Sequence, residues 1–153
     1  MILPGAVRAG WLYGRLVSLT PELAAAGIAQ FVSLTTFRSS GAPVATPVWV
    51  ARDGDALVVT TPVDTGKVRR LRHDPRVELR ACGRRGAVAE DVTPADGVAD
   101  VLPAAAAPTA LAALRAKYGL SYRLASLVER LVRRRRAERA IIRITAPDAD
   151  AAR

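Results

Sequence analysis

The chain has 153 residues, 23 Lys plus Arg against 14 Asp plus Glu, a formal charge of +9 and a single cysteine. A chain of this length buries roughly 68–70% of its unfolded surface, enough for one soluble domain without a stabilising metal or disulfide. The lone Cys82 excludes an internal disulfide framework and any cysteine-rich zinc site. No apolar run reaches the ~18 residues of a membrane span, so the expected setting is cytoplasmic with no membrane partner. All basic residues but Lys67 and Lys117 are arginines, and the excess positive potential favours anionic partners such as a phosphorylated or carboxylated cofactor.

Residues 1 to 19 are apolar but aperiodic and are expected to form an arm ahead of one domain over 20–146, with 147–153 a disordered tail. Thr20-Pro21-Glu22 starts a helix that should run to about Ala29: a capping hydroxyl, a proline suited to the first turn and a carboxylate at the positive dipole end. Phe31 to Phe37 reads as a strand, turned by Ser39-Ser40-Gly41 into a partner over Pro43 to Arg52. Asp53-Gly54 is a two-residue hairpin signal leading to Ala56 through Thr61, so these segments predict a three-stranded antiparallel meander. Pro47 lacks a ladder donor, which marks an edge, a bulge or a place where something other than a strand approaches.

Gly66 to Arg72 has helical spacing and Pro75 limits its extension. Val77 to Cys82 resumes as a strand, Gly83 to Gly86 turns, and an extended segment follows between Glu90 and Leu102. An Ala-rich connector leads to a helix over Thr109 to Tyr118 closed by Gly119, and a second helix over Ser121 to about Arg136 carries Leu124, Leu127, Val128 and Leu131 on one face. Ala140 to Ile144 is a last strand. Many short strands with a few interposed helices predict an α+β, mainly antiparallel β fold built as a barrel.

Thr35-Thr36-Phe37-Arg38, Gly41, Thr46-Pro47-Val48-Trp49, Thr60-Thr61, Gly66-Lys67-Val68-Arg69-Arg70-Leu71 and Asp74-Pro75-Arg76-Val77 stand in an order that resembles the pyridoxamine phosphate oxidase-like split β-barrel proteins, in particular the small actinobacterial branch that uses the deazaflavin coenzyme F420. The likeness continues through Cys82, Arg84-Arg85-Gly86, Lys117-Tyr118-Gly119 and the last strand. It implies a six-stranded split β-barrel (the FMN-binding split barrel) with peripheral helices, a homodimer, and a cofactor between the subunits. By the same resemblance Lys67 is the phosphate-binding lysine, with Arg70 on its face and Gly66 before it. Thr60 and Thr61 then contact the phosphate or the adjoining chain, Thr46, Pro47, Val48 and Trp49 border the tricyclic ring, and Arg38 is a candidate for the charged tail. Flavin-binding oxidases of the superfamily tend to carry Arg or Ser immediately before the lysine. Gly66 stands there instead, which favours the deazaflavin over FMN.

The function this implies is hydride transfer from reduced F420 to a small electron-poor organic substrate, with no catalytic side chain and no metal. The alternatives are an FMN-dependent relative and a non-enzymatic protein that binds F420, haem or another tetrapyrrole. Read without the resemblance, Lys67 and Arg70 are the solvated face of an amphipathic helix, and Trp49 is a core or interface aromatic. His73 is a helix-end residue meeting terminal carbonyls, and Cys82 an inert buried thiol. Arg133 to Arg136 is a solvated helix end rather than a nucleic-acid contact, because no exposed aromatics are interleaved with it. The leucine stripe of the second long helix is expected to be core or dimer contact rather than a membrane surface.

Overall fold

The computed structural model describes residues 18–133 and 138–148; the expectations for the arm over 1–17, for a helix reaching beyond 133 and for the tail beyond 148 lie outside the described residues. In chain order the elements are α1 (Pro21–Ile28), β1 (Phe31–Phe37), β2 (Pro43–Val48), β3 (Ala51–Asp53), β4 (Ala56–Pro62), α2 (Gly66–His73), β5 (Arg76–Cys82), β6 (Ala95–Pro103), a short 3-10 turn (Ala104–Ala106), α3 (Pro108–Tyr118), α4 (Leu120–Arg133) and β7 (Arg139–Thr145). Thr20 caps α1 by accepting the Leu23 N–H at 3.2 Å, and the positive φ of Gly54 makes the hairpin turn between β3 and β4.

All seven strands belong to one sheet in the order β2-β1-β5-β6-β7-β4-β3, antiparallel throughout. The expected six strands are therefore seven, and the expected meander is two hairpins. Pro43 to Arg52 does not form a single strand. It breaks at Trp49-Val50, so that β2 and β3 are opposite edges of the sheet. The cause is long-range: the buried Val50 donates its N–H to Tyr118 Oη at 2.9 Å, and its carbonyl accepts from Lys117 Nζ at 2.6 Å. Side chains of α3 thus satisfy backbone groups that a strand neighbour would otherwise take. Only two residues join the last residue of β2 to the first of β3, so the two edges lie within about 11 Å. The sheet is rolled but not closed by hydrogen bonds. Pro47 stands in an edge strand, one of the settings its missing N–H allows.

Alternation along the strands makes two cores. Val32 and Leu34 of β1, Leu57 and Val59 of β4, Val77 and Leu79 of β5, and Ile142 and Ile144 of β7 point inward together with Leu23 of α1. Val58, Ile141 and Ala51 point the other way, against Ala110, Leu114 and Tyr118 of α3. Gly97 of β6 is required by this packing, because a Cβ there would lie 2.7 Å from Ile144 Cγ2 and 3.2 Å from the Thr145 carbonyl. The helix α2 follows the end of β4, buries Val68 and Leu71, and spans one end of the barrel toward the end of β1.

Candidate functional site

Three strands deliver polar groups to the barrel end that α2 covers. Thr36 follows the inward parity of Val32 and Leu34, so its hydroxyl is buried near the end of β1. It accepts from Arg70 Nε at 2.7 Å, which pins the guanidinium of an α2 residue to β1. That guanidinium lies over Gly66: a Cβ at position 66 would sit 2.8 Å from Arg70 Nη1. The side chain missing before Lys67 has left room that a cation fills.

Lys67 occupies the first turn of α2 and is half-buried. Desolvation, then the charges of Arg70 and Arg139, hold its ammonium below the ordinary lysine value of 10.5. No described residue offers Lys67 an acceptor within hydrogen-bond distance. Arg70 is likewise depressed, first by desolvation and then by Arg38 and Arg69. No carboxylate pairs with Lys67, Arg70 or Arg38 among the described residues. Thr65 precedes the helix without capping it; its hydroxyl donates to the Pro62 carbonyl at 3.1 Å and lies 3.4 Å from Thr61 Oγ1. A half-buried ammonium, a fixed guanidinium and a helix start without a side-chain cap are the groups that could hold an anion, and they make this the candidate site.

The residues expected from the sequence do not all converge there. Gly66, Lys67, Arg70 and Arg38 form one electropositive group. Thr60 and Thr61, adjacent on β4, point to opposite faces: Thr61 is buried inward beside Thr65, whereas Thr60 accepts from Arg139 Nε at 3.0 Å on the outer side. Thr46, Pro47 and Val48 lie in the edge strand β2, with Trp49 at the break that follows it; β2 begins beside the candidate site because Val44 is paired with Thr36. At ~3.4 Å per residue, Trp49 is about 17 Å beyond that row. Pro47 is exposed, with the Gly86 turn against it. Trp49 stacks on Tyr118 with ring centres 4.6 Å apart and planes 10° from parallel, and its indole also neighbours Tyr122 at 6.4 Å. It is a packing aromatic with a partly exposed surface.

Two neighbours of the electropositive group, Thr36 and Arg139, were not among the site residues expected from the sequence. Thr36 carried a signal, a hydroxyl on the inward register of an apolar strand, whereas Arg139 carried none before β7 was paired with β4. Lys117 and Tyr118 act structurally. Lys117 Nζ donates to the carbonyls of Gly27, Ala29 and Val50 at 2.6–2.9 Å, and Tyr118 Oη lies 2.7 Å from the Gln30 carbonyl. Together they tie the end of α1 and the Trp49-Val50 break to α3. His73 is exposed at the end of α2. Cys82 is half-buried rather than fully enclosed, and burial pushes its thiol up, away from the reactive thiolate.

Comparison with known proteins agrees with this architecture. Residues 19–151 match the family profile described as Pyridoxamine 5'-phosphate oxidase. The chain belongs to that family. Among solved structures it is similar to an F420 reductase, at 18% identity over 84% of this chain and 94% of that one, with a TM-score of 0.56. It is also similar to HutZ, a heme storage protein from Vibrio cholerae, at 15% identity over 86% and 92% of the two chains and a TM-score of 0.56. A conserved hypothetical protein from Mycobacterium tuberculosis aligns at 20% identity over 86% and 84%, with a TM-score of 0.58. These likenesses establish the fold, a split barrel of the pyridoxamine phosphate oxidase kind with seven strands. No curated protein matches the chain in sequence.

Proposed function

We propose that this protein is an F420-dependent oxidoreductase of the actinobacterial branch of its family, acting as a homodimer on a small electron-poor organic molecule. The observation that carries the reading is the Lys67–Arg70 site: a half-buried lysine with no described carboxylate, beside an arginine held by Thr36 and reinforced by Arg38, at the foot of an open edge strand. Burying a cation without a counter-charge is unfavourable unless a ligand supplies one. The residues fit a cofactor with a phosphate at one end and further negative charge beyond it. Lys67, Arg70 and the first N–H groups of α2 would hold the phosphate, Arg38 the more exposed anionic groups, and the β2 edge from Thr46 to Trp49 would border the ring.

When bound, the reduced deazaflavin supplies hydride from a ring carbon. The chain's own part is to bind, orient and exclude water. Thr36 keeps the Arg70 guanidinium from swinging into solvent, and Gly66 leaves it room to lie close to the helix start. The stacked Trp49, Tyr118 and Tyr122 stiffen the far end of the edge strand, so a ligand fixed at its anionic end meets a rigid border along its body.

FMN is the nearest competitor, and the arginine that fills the space above Gly66 favours the more highly charged cofactor. Haem storage, the property in the name of the Vibrio cholerae structure, is the second reading; the chain's only histidine, His73, lies exposed at the end of α2. The test is anaerobic incubation of the protein with reduced F420 and a panel of quinones, nitroaromatics and enones, following return of the oxidised deazaflavin absorbance. Protein-dependent oxidation with at least one acceptor supports the reading. Tight haem binding with no turnover of any acceptor would replace it.

A further inference from the structure

The sheet has two free edges, β2 and β3. β3 is only Ala51–Asp53, and Ala51 packs under α3, so it offers little ladder to a further strand. β2 runs over Pro43–Val48, and the groups on its outer edge follow from one hydrogen bond. The Arg38 N–H donates to the Ala42 carbonyl at 2.9 Å, one step beyond the pairing of Phe37 with Pro43. Backbone groups alternate sides along a strand, so Val44, Thr46 and Val48 turn their N–H and carbonyl groups toward Thr36, Leu34 and Val32 of β1. Pro43, Ala45 and Pro47 therefore turn theirs away from the sheet, and all three residues are exposed.

Two of these three outward positions have no N–H. A strand laid along β2 would exchange bonds with residues 43, 45 and 47 in turn. At 43 and 47 it would meet a pyrrolidine ring where a donor should be, and its own carbonyls there would be left unpaired. Only Ala45 can donate. Among the described residues nothing else bonds the Ala45 N–H or the carbonyls of Pro43, Ala45 and Pro47. The placement is selective: a proline at 44, 46 or 48 would remove a bond to β1, whereas prolines at 43 and 47 remove none. The register is continuous from Val32–Val48 to Phe37–Pro43, so Pro47 marks an edge and not a bulge.

We propose that Pro43 and Pro47 close the outer edge of β2 to strand addition, so that neither a second copy of the chain nor an extended peptide joins the sheet there, and the edge stays uncovered in the free protein. Copies of the chain that associate do so through other surfaces. A small molecule bordering β2 meets three carbonyl acceptors and the single N–H of Ala45. The inference concerns the bare chain and holds whichever cofactor binds.

Amide hydrogen exchange on the full chain, read residue by residue by NMR, tests this without a ligand. Ala45 should exchange within roughly tenfold of an unstructured peptide, and Val44, Thr46 and Val48 at least about a hundredfold more slowly than Ala45, whatever the oligomeric state. The double variant Pro43→Thr with Pro47→Thr restores both outward donors and leaves the bonds to β1 in place. Its mass in light scattering should rise with concentration to at least about twice the parent's, and its Ala45 amide should become protected as it does. Adding Ala45→Pro to the pair should return the mass to the parent's. If the double variant melts well below the parent, Pro47→Thr alone takes its place with the same expectation. The proposal is overturned if Ala45 in the parent is as protected as its neighbours, since a strand then already pairs with the edge. It is equally overturned if the variant keeps the parent's mass and an unprotected Ala45, since the prolines then close nothing.

Discussion

Replacing Lys67 by Met keeps the aliphatic stem and removes the charge, so binding and stability should move in opposite directions. In the ligand-free protein the ammonium is partly desolvated, faces Arg70 and Arg139, and has no described acceptor. Its removal relieves both penalties, and the variant should be as stable as the parent or more stable by up to ~1 kcal/mol, the range of favourable surface-charge changes. In the complex the same ammonium makes a charge-assisted hydrogen bond of about 1.5–3 kcal/mol, so affinity for the phosphate-bearing cofactor should fall roughly ten- to hundredfold. Thermal melts with and without cofactor read both quantities: the midpoint without ligand holds or rises, and the ligand-induced upward shift shrinks. A variant that melts lower without ligand yet keeps its affinity would show that Lys67 serves the fold, and the anion site would have to be placed elsewhere.

Anion affinity should decline at a pH below the ordinary lysine range, because the free-state pKa of Lys67 is depressed while a bound phosphate stabilises its charged form; isothermal titration across alkaline pH would detect proton uptake on binding in that window. The sign for stability follows from the same shift. The unfolded chain binds the proton more tightly than the folded one, so this group's unfavourable contribution is present at neutral pH and is lifted as pH rises from the folded toward the unfolded lysine value. Lys117→Met should destabilise the protein by about 2–4 kcal/mol in urea melts, since it leaves the carbonyls of Gly27, Ala29 and Val50 without their shared donor.

Most elements of this fold were legible because their signals are local. Thr20-Pro21-Glu22, Asp53-Gly54 and Gly119 each act through the backbone of the residues beside them, and each marks the boundary expected of it. The break at Trp49-Val50 was not legible. Nothing near it in sequence forbids a strand, and the groups that end it belong to Lys117 and Tyr118, 67 and 68 residues away. The candidate site divides in the same way. The helix start at Gly66-Lys67 is a local motif, but its connection to β1 through Thr36 and its proximity to Arg139 exist only once β4, β7 and β1 are brought to one end of the barrel. Periodicity identified the leucine face of α4, but of the two expected settings, core or dimer contact, the exposure of Leu124, Leu127, Val128 and Leu131 removes the core, a distinction an apolar period does not carry.

Equilibrium titration of the purified protein with F420 and with FMN, at low and at elevated salt, tests the central claim most directly. Arg38, Lys67 and Arg70 form a group with more positive charge than one terminal phosphate requires, and one additional charged contact contributes ~1.4 kcal/mol or more. F420 should therefore bind at least about tenfold more tightly than FMN at low salt, and the margin should narrow as salt shortens the screening length below ~8 Å. Equal or tighter binding of FMN would contradict the choice of cofactor, and binding of neither would remove the redox function.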